Sequence, residues 1–197
     1  MIWLIVAASA VALAVFFERF LLYHREQINS TEFLNGVRTV LKRDNIVEAL
    51  AICDATPGPV ARLVKVAILN RDRGRDRMRE ALEDAGAWEV PRMEEKLNLL
   101  ATIAQIAPLL GLLGSVMGFM DAFQSIQNAG LAANPGMISD SVHKVLTCTA
   151  AGLAVAIPAY AAHNYLVSRV NAIVLDMEKV STEILNLLSE GNSNRTP

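Results

Sequence analysis

The sequence predicts an all-α membrane protein with three transmembrane helices and long helical extensions on one side of the bilayer. Three runs are apolar and long enough to cross a bilayer core, which needs roughly 20 apolar residues per helix. The charges lie almost entirely outside those runs. Between and after the runs, apolar residues recur at steps of three and four, the helical period. Hydrophobic residues make up 53% of the 197 and charged residues 19%, against about 25% charged in an ordinary soluble domain. The net charge of −2 is a sum over segregated charges and constrains little. No basic stripe with interleaved aromatics is present, so nucleic acid is not an expected partner.

Residues 1–23 form the first expected span. Met1 to Phe17 is apolar without a break, and Phe20-Leu21-Leu22-Tyr23 extends it past Glu18-Arg19. A signal peptide would carry a basic leading segment and a shorter apolar run of about 7–15 residues, so a retained helix is expected. Trp3 and Tyr23 suit interfacial anchoring. Glu18 reads as a snorkelling or paired interfacial charge in preference to a proton relay.

Residues 24–98 are expected in the cytoplasm. Of the 18 Lys and Arg residues, 13 lie between His24 and Asn98, and none lies between Asp121 and His143. The positive-inside rule then gives an N-out, C-in chain of three spans. Helices are expected at Thr31–Asp44, capped by Ser30 or Thr31, and at Ile46–Cys53. Thr56-Pro57-Gly58-Pro59 breaks the pattern, and Val60 to Asn70 resumes it. Arg71-Asp72-Arg73-Gly74-Arg75-Asp76-Arg77 reads as a solvated turn of alternating charge, in preference to a contact with anionic lipid. Met78–Trp88 is helical by period, and Pro91 is expected to open the helix that becomes the second span.

The second span covers residues 99–120, a loop on the outer side residues 121–144, and the third span residues 145–167. Ala104, Ala107, Gly111, Ser115, Gly118 and Ala122 share one face of the second span. Gly111-x-x-x-Ser115 and Gly114-x-x-x-Gly118 are small-xxx-small pairs of the kind that let backbones approach closely in lipid. Ser141, Thr149, Gly152, Ala156, Ala159 and His163 share one face of the third span, with Thr147 opposite. Pro108 and Pro158 are candidate kinks. The two spans run in opposite directions. At about 1.5 Å per residue, Ser115 lies roughly 9 Å below Asp121 and Thr149 roughly 6 Å below Val145, so the hydroxyls share a depth. A ring of such helices would enclose a narrow lumen with a belt of hydroxyls. Equally, each hydroxyl could bond only its own i−4 carbonyl.

Neither glycine-rich span contains a carboxylate, so a titrating acid would have to come from another chain. His163, near the inner end of its span, could titrate near neutral pH. Residues 168–197 start as a helix through Leu188, with Val170, Ile173, Val174, Met177, Val180 and Ile184 in period, and end in a disordered tail from Ser189. Cys53 and Cys148 lie in different settings, which argues against a disulfide. No Cys/His spacing suggests a metal site, and no cofactor is expected. With no nucleophile–base pair or phosphate loop, the chain does not read as an enzyme.

Three stretches bear a family likeness: Phe17-Glu18-Arg19-Phe20; Leu97 to Met120, L-N-L-L-A-T-I-A-Q-I-A-P-L-L-G-L-L-G-S-V-M-G-F-M; and Thr149 to Tyr160, T-A-A-G-L-A-V-A-I-P-A-Y, followed by Asn164-Tyr165. In these the chain resembles the MotA/TolQ/ExbB proton channel family, and more closely its ExbB and TolQ members. The resemblance implies a bacterial inner-membrane homo-oligomer, usually a pentamer. It implies a ring around the single spans of an ExbD- or TolR-like partner whose membrane aspartate supplies the missing carboxylate. It further implies that proton flow drives work on a TonB- or TolA-like protein, with Thr149 matching the family's pore threonine. Three positions depart from the pattern. Ser115 stands where the family has threonine, Cys148 where threonine is common, and Lys144 where a glutamate is usual. The expected function is a proton-channel subunit with Ser115, Thr149, Lys144 and His163 on the proton pathway. Gly111, Gly114, Gly118, Gly152, Pro108 and Pro158 are then packing positions. A non-conducting scaffold of the same kind of complex is the alternative.

Overall fold

The computed structural model describes residues 2–26, 30–129 and 135–193. Among them every regular element is helical: α1 (Ile2–Glu26), α2 (Ser30–Lys42), α3 (Ile46–Ala55), α4 (Pro59–Leu69), α5 (Arg75–Ala129) and α6 (Pro135–Ser193), with a 3-10 turn at Arg71–Arg73. Three of the helices are long and apolar enough to cross a membrane, in the segments Trp3–Tyr23, Arg75–Asn128 and Ser139–Ser189. The chain divides into two compact units: Met1–Arg19 with Lys96–Leu166, and Phe20–Glu95 with Val167–Pro197.

In the first unit the inward faces of α5 and α6 are rich in small residues, alongside the buried Leu97, Leu100, Val145 and Leu166. Ala104, Ala107, Gly111, Gly114 and Ser115 are buried on α5, and Gly152, Ala156 and Ala159 on α6. Around the small-residue contact, large side chains point outward: Leu109, Leu112, Leu113, Val116 and Met117 are exposed. That is the pattern expected of helices solvated by lipid, where burying leucine against another helix gains little over leaving it in hydrocarbon. From α1, Ile5, Ala12 and Val15 are buried.

The second unit packs as a water-soluble domain does. On α2, Leu34, Val37 and Val40 are buried at steps of three. On α4 nearly every apolar residue is buried, including Leu63, Val64, Ala67 and Ile68. Val170, Ile173, Met177, Val180 and Ile184 of α6 alternate steps of three and four, a coiled-coil-like seam. Local signals set the short helices. Asn45 caps α3, its Oδ1 accepting from the Glu48 N–H at 3.3 Å. Gly58, at φ 115°, supplies a left-handed turn before Pro59 opens α4. The Arg62 guanidinium donates to both Glu89 carboxylate oxygens at 2.7 and 2.8 Å, linking α4 to α5.

Four expectations need correction. Pro91 does not open a helix, because α5 starts at Arg75 and runs through it, absorbing the separate Met78–Trp88 helix. The buried stripe Met78, Leu82, Met93 keeps helical register across the proline, and burial outweighs one lost backbone hydrogen bond. The segment 121–144 is helical at 121–129 and 135–144, with residues 130–134 outside the described set; a drop in hydropathy marks polarity and not the end of a helix. The tail from Ser189 is helical to Ser193, with residues 194–197 outside the described set. Tyr23 is not an interfacial anchor. It is buried, and its hydroxyl donates to the Met93 carbonyl at 2.6 Å. Trp3, in contrast, is 86% exposed. The basic run 71–77 is a turn only as far as Gly74, since Arg75–Arg77 begin α5; Arg71 lies beside Asp72 and Asp44, and Arg77 beside Glu80.

Candidate functional site

The candidate site lies in the first unit, where α5 and α6 make their closest approach. Gly111 and Gly152 face each other backbone to backbone. A Cβ on Gly152 would stand 2.7 Å from the Ala107 carbonyl oxygen and 2.9 Å from the Gly111 Cα. A Cβ on Gly111 would stand 3.0 Å from the Cys148 carbonyl oxygen and 3.2 Å from the Gly152 Cα. About two turns further along α5, a Cβ on Gly118 would meet Val145 Cγ2 at 2.8 Å. The constraint is tightest at Gly152, where a Cβ would meet backbone atoms of α5 and push the helices apart.

That approach brings two hydroxyls together. Ser115 Oγ lies 2.5 Å from Thr149 Oγ1, 2.9 Å from the Val145 carbonyl and 3.0 Å from the Gly111 carbonyl. Ser115 is 5% exposed, whereas Thr149 is half-buried. A hydroxyl has one proton and two lone pairs. Either hydroxyl can donate to the other; the arrangement that uses the shorter carbonyl contacts is a relay in which Thr149 donates to Ser115, and Ser115 donates to the carbonyl of Val145 or of Gly111. Thr149 then keeps acceptor capacity on its open side. Thr149 Oγ1 is 3.4 Å from its own i−4 carbonyl at Val145, too long for a strong bond. Thr147 behaves differently: it is exposed and donates to the His143 carbonyl, its i−4 partner, at 2.8 Å. Of the two threonines, then, one follows the local back-bonding habit and the other reaches across to the neighbouring helix.

No charge shares this contact. From Leu97 to Met120 and from Val145 to Ser168 there is no Asp, Glu, Lys or Arg. The site can therefore orient a proton donor or acceptor but holds no carboxylate of its own.

The structure brings together Ser115, Thr149, Gly111, Gly118 and Gly152. Gly114 is buried nearby on α5. Lys144 is exposed, next in sequence to the Val145 whose carbonyl Ser115 bonds. His163 stands apart, 14 residues beyond Thr149 on α6, or about 21 Å along the axis. It is half-buried, and its Nδ1 is buried with no hydrogen-bond partner. Pro108 and Pro158 sit inside continuous helices, Pro108 half-buried and Pro158 exposed. Glu18 is paired, its carboxylate accepting from Lys96 Nζ. Sequence reasoning passed over Arg19. It is only 8% exposed, and its Nε is buried without a partner. Its place beside Glu18 in a run that is otherwise free of charge was the available signal.

Residues 55–179 match the sequence model of the MotA/TolQ/ExbB proton channel family, and that stretch contains both hydroxyls and the glycine contact. The chain belongs to this family. Among similar MotA/TolQ/ExbB proteins is a biopolymer transport protein ExbB homolog of Methanothermobacter thermautotrophicus, 25% identical over 84% of this chain and 61% of its own length. The Tol-Pal system protein TolQ of Haemophilus influenzae is 36% identical over 55% of this chain and 47% of its own. A biopolymer transport protein ExbB-like 3 of Synechocystis is 32% identical over 76% of this chain and 71% of its own. The chain thus spans about half to three fifths of the first two of these relatives. As a MotA/TolQ/ExbB chain with three apolar helices, it is an integral membrane protein.

Proposed function

We propose that this chain is the proton-channel subunit of an inner-membrane energy-transducing motor of the ExbB/TolQ type. The observation that carries the reading is the Ser115–Thr149 pair, held at a glycine contact inside two charge-free apolar helices. An interhelical hydroxyl bond serves packing in lipid, and this one also leaves Thr149 half-buried, open to a further partner. A proton path needs a fixed hydroxyl that can accept from a carboxylic acid on one side and pass hydrogen bonding on from the other.

In this reading the chain is N-out and C-in. Residues 24–98 and 168–197 face the cytoplasm, and residues 121–144 face the opposite side. Several copies, five by family resemblance, form a ring with the half-buried Thr149 toward its interior. An ExbD- or TolR-like single-span partner supplies the titrating aspartate. Ser115 fixes the Thr149 hydroxyl, and Thr149 presents its free lone pair to that acid. Lys144 lies at the outer mouth, where its charge tunes proton entry, and His163 lies at the inner end of the path. One proton moving down the potential is worth about 2.3 kcal/mol per 100 mV. Several transfers per cycle suffice to drive an interface between two arrangements, and the output is work on a TonB- or TolA-like protein.

The test is proton flux into liposomes holding the chain alone and with its one-span partner. Flux that requires the partner supports the reading. An assembled complex with no flux favours the scaffold reading. Lys144 is the reason to retain that second reading, since it reverses a charge at the mouth. If Lys144→Glu then restores flux to the silent complex, the scaffold is a degenerate channel.

A further inference from the structure

We infer that the Ser115–Thr149 pair is a reversible hydrogen-bond switch: by exchanging which hydroxyl donates, it lets Thr149 accept from a protonated acid and donate to an ionised one. Resting on the proton-channel reading, this makes Ser115 a positioning residue for Thr149.

The switch begins with a carbonyl that Thr149 does not hold. A hydroxyl on a helix ordinarily donates to the carbonyl four residues back. Thr39, Thr102, Thr147 and Thr182 do so at 2.7–3.0 Å, and Ser125 does so at 2.8 Å. Thr149 Oγ1 stands 3.4 Å from its own such carbonyl, at Val145. Ser115 reaches that carbonyl from α5 at 2.9 Å. The Thr149 hydroxyl lies against Ser115 Oγ instead, at 2.5 Å. Ser115 therefore keeps Thr149 from committing its proton to its own helix.

Two proton arrangements fit the pair, because each hydroxyl has one proton and two lone pairs. In the first, Thr149 donates to Ser115, and Ser115 donates to the carbonyl of Val145 or of Gly111. Thr149 then has a lone pair left on its open side, the acceptor that a protonated carboxylic acid needs. In the second, Ser115 donates to Thr149, and the Thr149 proton turns to the open side, the donor that a carboxylate needs. The two carbonyls lose only a side-chain bond, since each lies inside a helix and keeps its backbone partner. Both arrangements use the same heavy-atom positions, so reversal leaves the contact at Gly111 and Gly152 closed. Neither hydroxyl gives up its proton; only the direction of donation changes.

The consequence is an acid that finds a partner in both of its states. A hydrogen bond donated to a carboxylate favours the ionised form, and one accepted from the acid favours the neutral form. A group that could only donate, or only accept, would hold the acid in one state. The pair has one protected member, Ser115 at 5% exposed, and one accessible member, the half-buried Thr149.

The test uses the full chain assembled with its one-span partner in liposomes, with proton flux referred to the amount of assembled complex. Ser115→Ala removes the second hydroxyl and returns the Val145 carbonyl to Thr149. Flux is expected to fall about tenfold, the effect of one hydrogen bond to a charged group. Ser115→Thr restores a hydroxyl and is expected to recover most of the loss. A structure of the Ser115→Ala complex is expected to show Thr149 Oγ1 turned onto the Val145 carbonyl at about 2.8 Å. If Ser115→Ala does not assemble, Ser115→Cys decides, since its weak S–H donor should give the same loss of flux. Wild-type flux in the assembled Ser115→Ala or Ser115→Cys complex overturns the switch and leaves the channel standing. A loss that Ser115→Thr does not recover assigns Ser115 to packing and overturns it as well. Absence of flux from the wild-type complex overturns the channel reading itself, and the switch with it.

Discussion

The two units bury helix faces of opposite character. In the first, the closest approach of α5 and α6 is made through glycine, alanine and one serine, and Leu109, Leu112 and Leu113 beside it point outward, although Leu97, Leu100 and Leu166 are buried elsewhere in the unit. In the second, α6 buries Val170, Ile173, Met177, Val180 and Ile184, and the charges point outward in surface ion pairs such as Arg79–Glu83. The same two helices follow both rules along their length. The difference follows from the solvent. In water, burying apolar area contributes about 25 cal/mol per Å², so large aliphatic residues are best inside. In hydrocarbon that term vanishes between helices, and close backbone approach with interhelical hydrogen bonds takes its place. Surface ion pairs add at most about 1 kcal/mol each. The comparison bears on function. A buried hydroxyl such as Ser115 is tolerated where glycine lets two backbones supply its acceptors, and the contact at Gly111 and Gly152 does this.

The comparison can be broken by substitution. The largest effect is expected from Ile184→Ala, which empties a fully buried position of the second unit. A loss of about 2–5 kcal/mol is expected on chemical unfolding. A loss below about 1 kcal/mol would mean that this unit is not held by aliphatic burial. Next comes Gly152→Ala, whose Cβ would press on the backbone of α5. It should cost about 1–3 kcal/mol in a detergent melt, although alanine is the better helix former. In the second unit the same change has the opposite sign. Gly86 has open space around its Cβ position, so Gly86→Ala should stabilise by about 0.5–1 kcal/mol. Equal signs for the two glycine changes would remove the distinction between the units.

The smallest effect concerns Cys53 on α3. Burial pushes its thiol up to about 11, with Asp54 adding to the shift and Lys65 opposing it. A thiol with a raised folded value contributes stability that is complete below its unfolded value of about 8.5. That contribution is lost as pH rises toward about 11. Alkylation at pH 8 should therefore be slow in the folded chain and fast after denaturation. Rapid labelling of the folded protein would show that α3 opens locally.

Much of this was legible in the sequence. The three spans follow from run length and charge-free composition. The glycine faces follow from period, and counting rise along two antiparallel spans places Ser115 and Thr149 at one depth. Their direct contact was not legible, because it depends on how closely Gly111 and Gly152 let the backbones approach. The Val145 carbonyl that Ser115 bonds carries no sequence signal at all, since every residue has a carbonyl. Pro91 misled because proline is a strong local breaker, while the buried stripe that carries α5 through it is a tertiary effect. Arg19 was overshadowed by Glu18, although the arginine is the buried member of the pair.

The central claim is that a hydroxyl pair across α5 and α6 carries the function. Proton flux through the assembled complex tests it most directly, with Thr149→Val compared against Thr147→Val. The two changes are chemically identical and lie two residues apart on α6. Loss of flux in Thr149→Val, with assembly intact and Thr147→Val near wild type, is the predicted result. Equal flux in the two variants would contradict the account.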